Sequence, residues 1–332
     1  MSDGIPQIPP VPAGLREAAQ LGTLIPFIGA GASVLAGCPG WGKFADGALS
    51  HFVDRGKFSY AQIEQIKHLN PRVKLSLALA LQKEHKLQID FRKLLHPSGC
   101  VSVDGKKLYG SLSRLGKIFV TTNYDEWLDE EIVGPALSLK SVPVPTAPVA
   151  NRKRKVIHKV EDLIPACLNQ PKTVIHLHGS LLDPDGMVMT TQHYVRHYAN
   201  DRLSGAAGTE NRVLTFLEYL FKHKTVLFVG YGLEELEILE YVILKARRVP
   251  GTGQSEAKHF ILQGFFSHER ELMQSLKHYY LEECGIELLP FLRDHRDWHQ
   301  LLEVLEEFAR LVPASNPIVL QELKEMEDLL DG

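Results

Sequence analysis

Five consecutive apolar residues, Leu24–Ile28, run directly into Gly29-Ala30-Gly31-Ala32-Ser33. A strand buried on both faces reads as such an unbroken run, and small residues behind it let the chain turn sharply into a helix. Glycines in that turn allow backbone N–H groups to approach a diphosphate, and a helix N-terminus offers unpaired donors with partial positive charge. The segment therefore predicts a first strand ending in a dinucleotide-phosphate cradle. Its GxGxS spacing departs from the GxGxxG fingerprint, and no clear acidic residue follows at the usual distance to hold a ribose. A tight strand-to-helix turn without a ligand uses the same residues, so both readings stand at this point.

The rest of the chain bounds the fold class. Its 332 residues suffice for one large domain or two ordinary ones, and 44% hydrophobic with 23% charged residues is the balance of a globular protein with a sizeable core. A net charge of −3 excludes polyanion binding by bulk electrostatics. The N-terminus lacks a signal-peptide pattern and no run is long and apolar enough to cross a bilayer, which predicts a cytoplasmic protein. Cys38, Cys100, Cys167 and Cys284 are scattered without a CxxC pair. They read as reduced, mostly buried thiols, with no metal expected.

Residues 1 to about 12 are proline-rich, and a short helix is expected from Leu15 to about Leu21. Trp41 to about Leu95 is rich in helix formers with apolar residues at helical spacing, and reads as a helical insertion. Further strands are expected at Lys117–Thr121, Thr173–Leu177, Thr225–Val229, His259–Leu262 and near Gly285–Leu289. Helices are expected over about Glu210–His223, Leu233–Ala246, His268–Glu283 and Asp297–Leu311. The stretch Val133–Gln170 reads as irregular; its basic run Asn151–Lys155 is a solvated loop or short edge strand, or contacts a phosphate or an acidic partner. Short apolar strands alternating with helices predict an α/β fold, a Rossmann-like doubly wound parallel sheet with a helical subdomain.

In such sheets ligands bind beyond the carboxyl ends of the strands. Four expected strands end in polar or glycine residues suited to a site: Gly29–Ser33, Thr121-Thr122-Asn123-Tyr124-Asp125, Leu177-His178-Gly179-Ser180 and Gly230-Tyr231-Gly232. His178 precedes a Gly-Ser turn that lets an imidazole face a crevice, and its ordinary pKa near 6.5 suits proton transfer at neutrality. His176 shares its strand direction and lies deeper. Asn123 and Asp125 have two readings: caps of a helix opening at Glu126-Trp127-Leu128, or a carboxamide holding water or ribose beside a carboxylate that fixes the backbone.

Together with Gly37-Cys38-Pro39-Gly40-Trp41, these motifs resemble, in order, the sirtuin-like domain, and more narrowly its zinc-less bacterial branch in antiphage defence proteins such as the Thoeris effector. The resemblance runs from about Leu21 to about Leu311. It implies NAD+ as substrate, bound through Gly29, Ala30, Gly31 and Ser33, with Pro39, Trp41, Thr122, Gly230, Tyr231 and Gly232 as further contacts. His178, Asn123 and Asp125 become the catalytic set. Gly232 replaces a frequent Ser. The Asp-Phe-Arg that usually follows the Gly-Ile-Pro turn is missing here, as are the paired CxxC motifs of deacylating sirtuins. The domain plan it implies is an N-terminal extension over 1–20, the sirtuin-like domain over 21–312 with a helical insertion over about 42–112, and an acidic tail over 313–332.

The activity implied is that of an NAD+ glycohydrolase yielding nicotinamide and ADP-ribose, acting by NAD+ depletion in abortive infection. A latent enzyme is expected, with homo-oligomerisation and a control partner in trans, since the segment after Pro313 is too short to fold as a sensing domain. A HerA-type ATPase is favoured over a short Argonaute-associated protein. The alternatives are an NAD- or ADP-ribose-binding module without turnover, and a protein deacylase or ADP-ribosyltransferase. Membrane contact is not expected, and nucleic acid contact is at most indirect.

Overall fold

The computed structural model describes residues 4–134, 156–198, 211–232 and 259–312. Seven strands form one sheet: β1 (Leu24–Ile28), β2 (Ile118–Thr121), β3 (Val156–Ile157), β4 (Thr173–His176), β5 (Thr225–Val229), β6 (His259–Phe265) and β7 (Ile286–Leu292). Every pairing is parallel, in the order β3-β4-β2-β1-β5-β6-β7. The chain winds outward from β1 in both directions, so the switch point lies at the carboxyl ends of β1, β2 and β5.

The apolar runs are continuous because both sheet faces are covered. Leu24 and Ile28 of β1 enter one core, with Leu227 and Val229 of β5 and Phe119 of β2. Ile25 and Phe27 enter the other, with Val226, Phe228, Ile118 and Val120. The first core is closed by α1 (Ala13–Gln20), α7 (Val103–Leu115), α8 (Trp127–Ile132) and α12 (Gln300–Leu311). The second is closed mainly by α10 (Arg212–His223), which presents Val213, Phe216, Leu217 and Leu220 at helical spacing. Helix α11 (Arg270–Tyr279) lies between β6 and β7 in the chain.

A third core belongs to the helical insertion, where α3 (Trp41–Val53), α5 (Pro71–His85) and α6 (Phe91–Leu95) pack Phe44, Ala48, Phe52, Leu75 and Phe91 together. α4 (Tyr60–Ile66) lies on its rim, capped by a reciprocal Ser59–Gln62 box. The insertion expected to about residue 112 divides physically: α3–α6 share the third core, whereas Leu108, Tyr109, Leu112 and Leu115 of α7 pack on the sheet. Among the described residues, one strand and one α-helix were not expected from sequence. One is the two-residue edge strand β3, inside the stretch read as irregular. The other is α9 (Thr191–His197), opened by Thr190, whose hydroxyl accepts from His193 N–H at 3.1 Å. The basic run Asn151–Lys155, the helix expected at Leu233–Ala246 and the tail from Pro313 lie outside the described residues.

Candidate functional site

A cavity of about 210 Å³ opens beyond the ends of β1, β2 and β4, beneath the helical insertion. One buried water needs about 10–15 Å³, so this space is built for something larger. Of the residues singled out from sequence, Ala30, Ser33, Pro39, Trp41, Thr122, Asn123, Asp125 and His178 line it. Gly29, Gly31, Gly230, Tyr231 and Gly232 stand outside the lining.

Their positions explain the glycines. The amide of Gly29 donates to Val229 O and that of Gly31 to Gly230 O, both at 2.8 Å. Two N–H groups expected to face a phosphate therefore pin β1 to the end of β5. Gly230 has a φ of +68°, and a Cβ there would lie 2.5 Å from Ala32 N. Its requirement for glycine is a close backbone crossing. Helix α2 (Ala30–Leu35) then brings Ala30 and Ser33 to the cavity. Tyr231 acts from behind, its hydroxyl 3.0 Å from Thr122 Oγ1.

Asn123 is no helix cap. Its Nδ2 donates to Gly29 O at 2.9 Å, tying the β2 loop to the β1 turn, and its amide donates to Thr121 Oγ1 at 3.0 Å. Its own carbonyl lies 2.8 Å from His176 Nδ1, while His176 Nε2 lies 2.9 Å from Asp129 Oδ1 on α8. Both ring nitrogens of His176 thus face acceptors, and an imidazole satisfies two acceptors only when doubly protonated. Burial lowers its pKa, but the Asp129 charge and hydrogen bonds outweigh that and raise it to about 8. The deeper histidine is a buried cation that holds the Asn123 backbone. Sequence reasoning passed it over because its partners lie 47 and 53 residues away.

Asp125 is buried. It accepts hydrogen bonds from Ser33 Oγ and, at 3.3 Å, from Trp127 N–H. Burial raises its pKa, opposed by the Ser33 hydrogen bond. It shares a layer with Cys38 and His96, one donor atom of each lying within 4.8 Å of the others, the one such metal-compatible group among the described residues. Burial raises the Cys38 thiol strongly, the Trp127 side chain hydrogen-bonds it, and His96 stacks on the Trp127 ring at 4.1 Å. Cys38 and Asp125 of this set line the cavity, whereas the buried His96 Nε2 has no hydrogen-bond partner among the described residues.

His178 faces the opposite environment from His176. Its Nε2 is 2.7 Å from Tyr198 OH and its Nδ1 is 3.4 Å from Tyr194 OH. Burial, then the nearby His197 and Arg72, push its pKa well below 6.5, so it is neutral at pH 7. Gly179 behind it sits at φ +82°, and a Cβ there would lie 2.7 Å from Gly186 O. The left-handed backbone and that close approach make glycine the residue this turn requires.

Cys38, Phe44, Leu95 and Tyr124 also line the cavity, as do Asn70 and Arg72 at the start of α5, and Tyr194 and Tyr198 at α9. The Asn70-Pro71 pair was a legible helix start: Asn70 Oδ1 accepts from Arg72 N–H at 2.9 Å, with proline at the first helical position. Nothing local told that this helix end faces the site.

A parallel sheet with polar strand ends gathered at its switch point defines a doubly wound, nucleotide-binding class of fold. Residues 117–289, more than half the chain, match the SIR2-like domain family, and the chain belongs to it. Members of that family are NAD-dependent enzymes, and their SIR2-like domains bind NAD+. The matched stretch spans Asn123, Asp125, His178 and Gly230, and begins after the Gly29–Ser33 turn. Compared with curated proteins, the chain matches none. Among the described residues, no helix is long and apolar enough to cross a membrane.

Proposed function

We propose that the chain is an NAD+ glycohydrolase that releases nicotinamide and ADP-ribose. One observation carries the reading: a neutral imidazole and a carboxamide, His178 and Asn123, share one cavity at the switch point of a sheet whose family binds NAD+.

The chemistry follows from the substrate. Nicotinamide leaves as a neutral molecule, so its departure needs no acid. The ribose carbon it leaves becomes cationic, and the water that attacks it must lose a proton. With the His178 proton on Nε2 and donated to Tyr198, Nδ1 holds a lone pair whose one hydroxyl contact among the described residues, to Tyr194, is long at 3.4 Å. Nδ1 takes the proton from water, directly or through a ribose hydroxyl. Asn123 has its Nδ2 engaged by Gly29, which leaves Oδ1 to accept from the water or the ribose. Asp125, held by Ser33, supports the turn beneath the sugar. Ala30 and Ser33 line the nucleotide side of the cavity.

Purified protein incubated with NAD+ is expected to release nicotinamide. His178→Ala and Asn123→Ala should each lose about 10²-fold or more of that rate, since proton transfer and positioning each contribute about that much. Turnover equal in wild type and His178→Ala, or absent in every oligomeric and partner-bound state, overturns the proposal. Binding of ADP-ribose without turnover would instead favour a non-hydrolytic module. That alternative draws on the two tyrosine hydroxyls now at the His178 ring.

Unrestrained NAD+ cleavage is toxic. We therefore place the enzyme under control, as a cytoplasmic homo-oligomer acting in antiphage defence by abortive infection. Its proposed regulator in trans is a HerA-type ATPase, ahead of a short Argonaute-associated protein. Mass measurement of the purified chain with and without each partner tests the assembly.

A further inference from the structure

Arg72 is a cation in the cavity wall without an anion. Its guanidinium stacks over the Tyr194 ring at 4.0 Å, and among the described residues it makes no ion pair and no side-chain hydrogen bond. The acid lining the same cavity, Asp125, is engaged by Ser33 and Trp127 instead. Stacking on an aromatic ring holds a guanidinium in place without using its five N–H donors. The mounting is firm. Asn70 caps the helix end that carries Arg72, and Ser76 Oγ donates to Arg72 O at 2.8 Å while accepting from Thr191 N–H of α9 at 3.3 Å. A fixed, stacked fork facing a cavity, with every donor open, is the arrangement that binds phosphate oxygens.

Its distance from His178 decides which phosphate. The Tyr194 ring lies 4.0 Å from the guanidinium carbon and 5.0 Å from the His178 ring, so cation and imidazole are within about 9 Å. In a dinucleotide whose nicotinamide ribose sits at His178, the diphosphate is one sugar away. A 2′-phosphate on the far adenosine ribose lies well beyond that reach.

We infer that Arg72, supplied by the helical insertion, binds the diphosphate of the dinucleotide and so sets substrate affinity in this cavity. The inference rests on the NAD+ reading above. It also fits the β1 turn: the Gly29 and Gly31 amides are already donated to the β5 end, and the guanidinium supplies donors that they do not.

The test compares wild type, Arg72→Gln and Arg72→Lys of the full chain, each checked for an unchanged thermal melt. Calorimetric binding of ADP-ribose and of nicotinamide riboside, which lacks phosphate, is read beside the KM and kcat of nicotinamide release. Arg72→Gln is expected to weaken ADP-ribose and raise the KM for NAD+ by about tenfold or more. Nicotinamide riboside affinity should stay level, and kcat should fall less than the KM rises. Arg72→Lys, with charge but no fork, should fall between. Unchanged ADP-ribose affinity, an equal loss for both ligands, or a loss confined to the 2′-phosphorylated dinucleotide overturns the inference. Turnover in wild type with an unaltered KM in Arg72→Gln sinks Arg72 and leaves the glycohydrolase standing; loss of ADP-ribose binding in Arg72→Gln where wild type has no turnover does the reverse.

Discussion

Two histidines two residues apart carry opposite charge states. His176 has an acceptor at each nitrogen and is held as a cation with a pKa raised to about 8; His178 is neutral among Tyr194, Tyr198, His197 and Arg72. The unfolded value for both is near 6.5. The stabilisation from His176 is therefore complete below pH 6.5 and lost as pH rises through about 8, on the order of 2 kcal/mol. His178 works the other way: the unfolded chain takes up its proton below pH 6.5 and folding weakens there. The melting temperature should peak near pH 6.5 and fall as pH rises from there to about 8. His176→Gln should lose the fall between about pH 6.5 and 8, be destabilised by about 1–3 kcal/mol near neutrality, and release nicotinamide more slowly because the Asn123 backbone loses the imidazolium donor. A variant whose alkaline fall matches wild type would assign that fall to other groups. The sequence made His178 visible through its Gly-Ser turn. It could not make His176 visible, because charge state is set by partners brought together in three dimensions.

Among elements, the β1–α2 turn and the end of β5 interlock through glycine on both sides. A Cβ on Gly31 would stand 2.9 Å from Gly230 O, and one on Gly230 would meet Ala32 N at 2.5 Å in a left-handed backbone. Neither neighbour is a side chain that can swing away. Gly230→Ala should therefore cost about 2–4 kcal/mol, from the left-handed conformation and the overpacking together, and lower the melting temperature by roughly 5–15 °C. A melt unchanged within 2 °C, on the order of 1 kcal/mol, would mean that the crossing opens freely. The long apolar strands β1, β2, β4 and β5 were legible because burial on both faces writes an unbroken hydrophobic run. β3 was not, since two residues carry no periodicity. α9 was not, since its seven residues bury little beyond His197 and owe their turn to the Thr190 cap and to packing beside His178.

For the whole molecule, the third core clamps the loops that carry the site. Tyr124, between Asn123 and Asp125, joins that core with Leu181, Met187 and Met189 from beyond His178. Its hydroxyl donates to Val188 O at 2.7 Å, and Leu181 N–H donates to Tyr124 O at 2.9 Å. The β2 and β4 ends are thus locked to each other and to the insertion by side chains that do no chemistry. The second core, across the sheet, reaches the site through the strands and through Tyr198, which packs against its edge. Two substitutions separate these roles. Phe52 in α3 and Phe216 in α10 are fully buried, and neither lines the cavity. Each changed to Ala should cost about 3–5 kcal/mol. At a temperature where both variants remain folded, Phe52→Ala should lower kcat/KM for nicotinamide release by about tenfold or more, because an ångström of drift in a positioned group costs that much. Phe216→Ala should keep kcat/KM near wild type. Equal losses in the two, at matched stability, would mean that the helical layer shields the cavity without aligning it, and that the strand ends hold Asn123 and His178 in place by themselves.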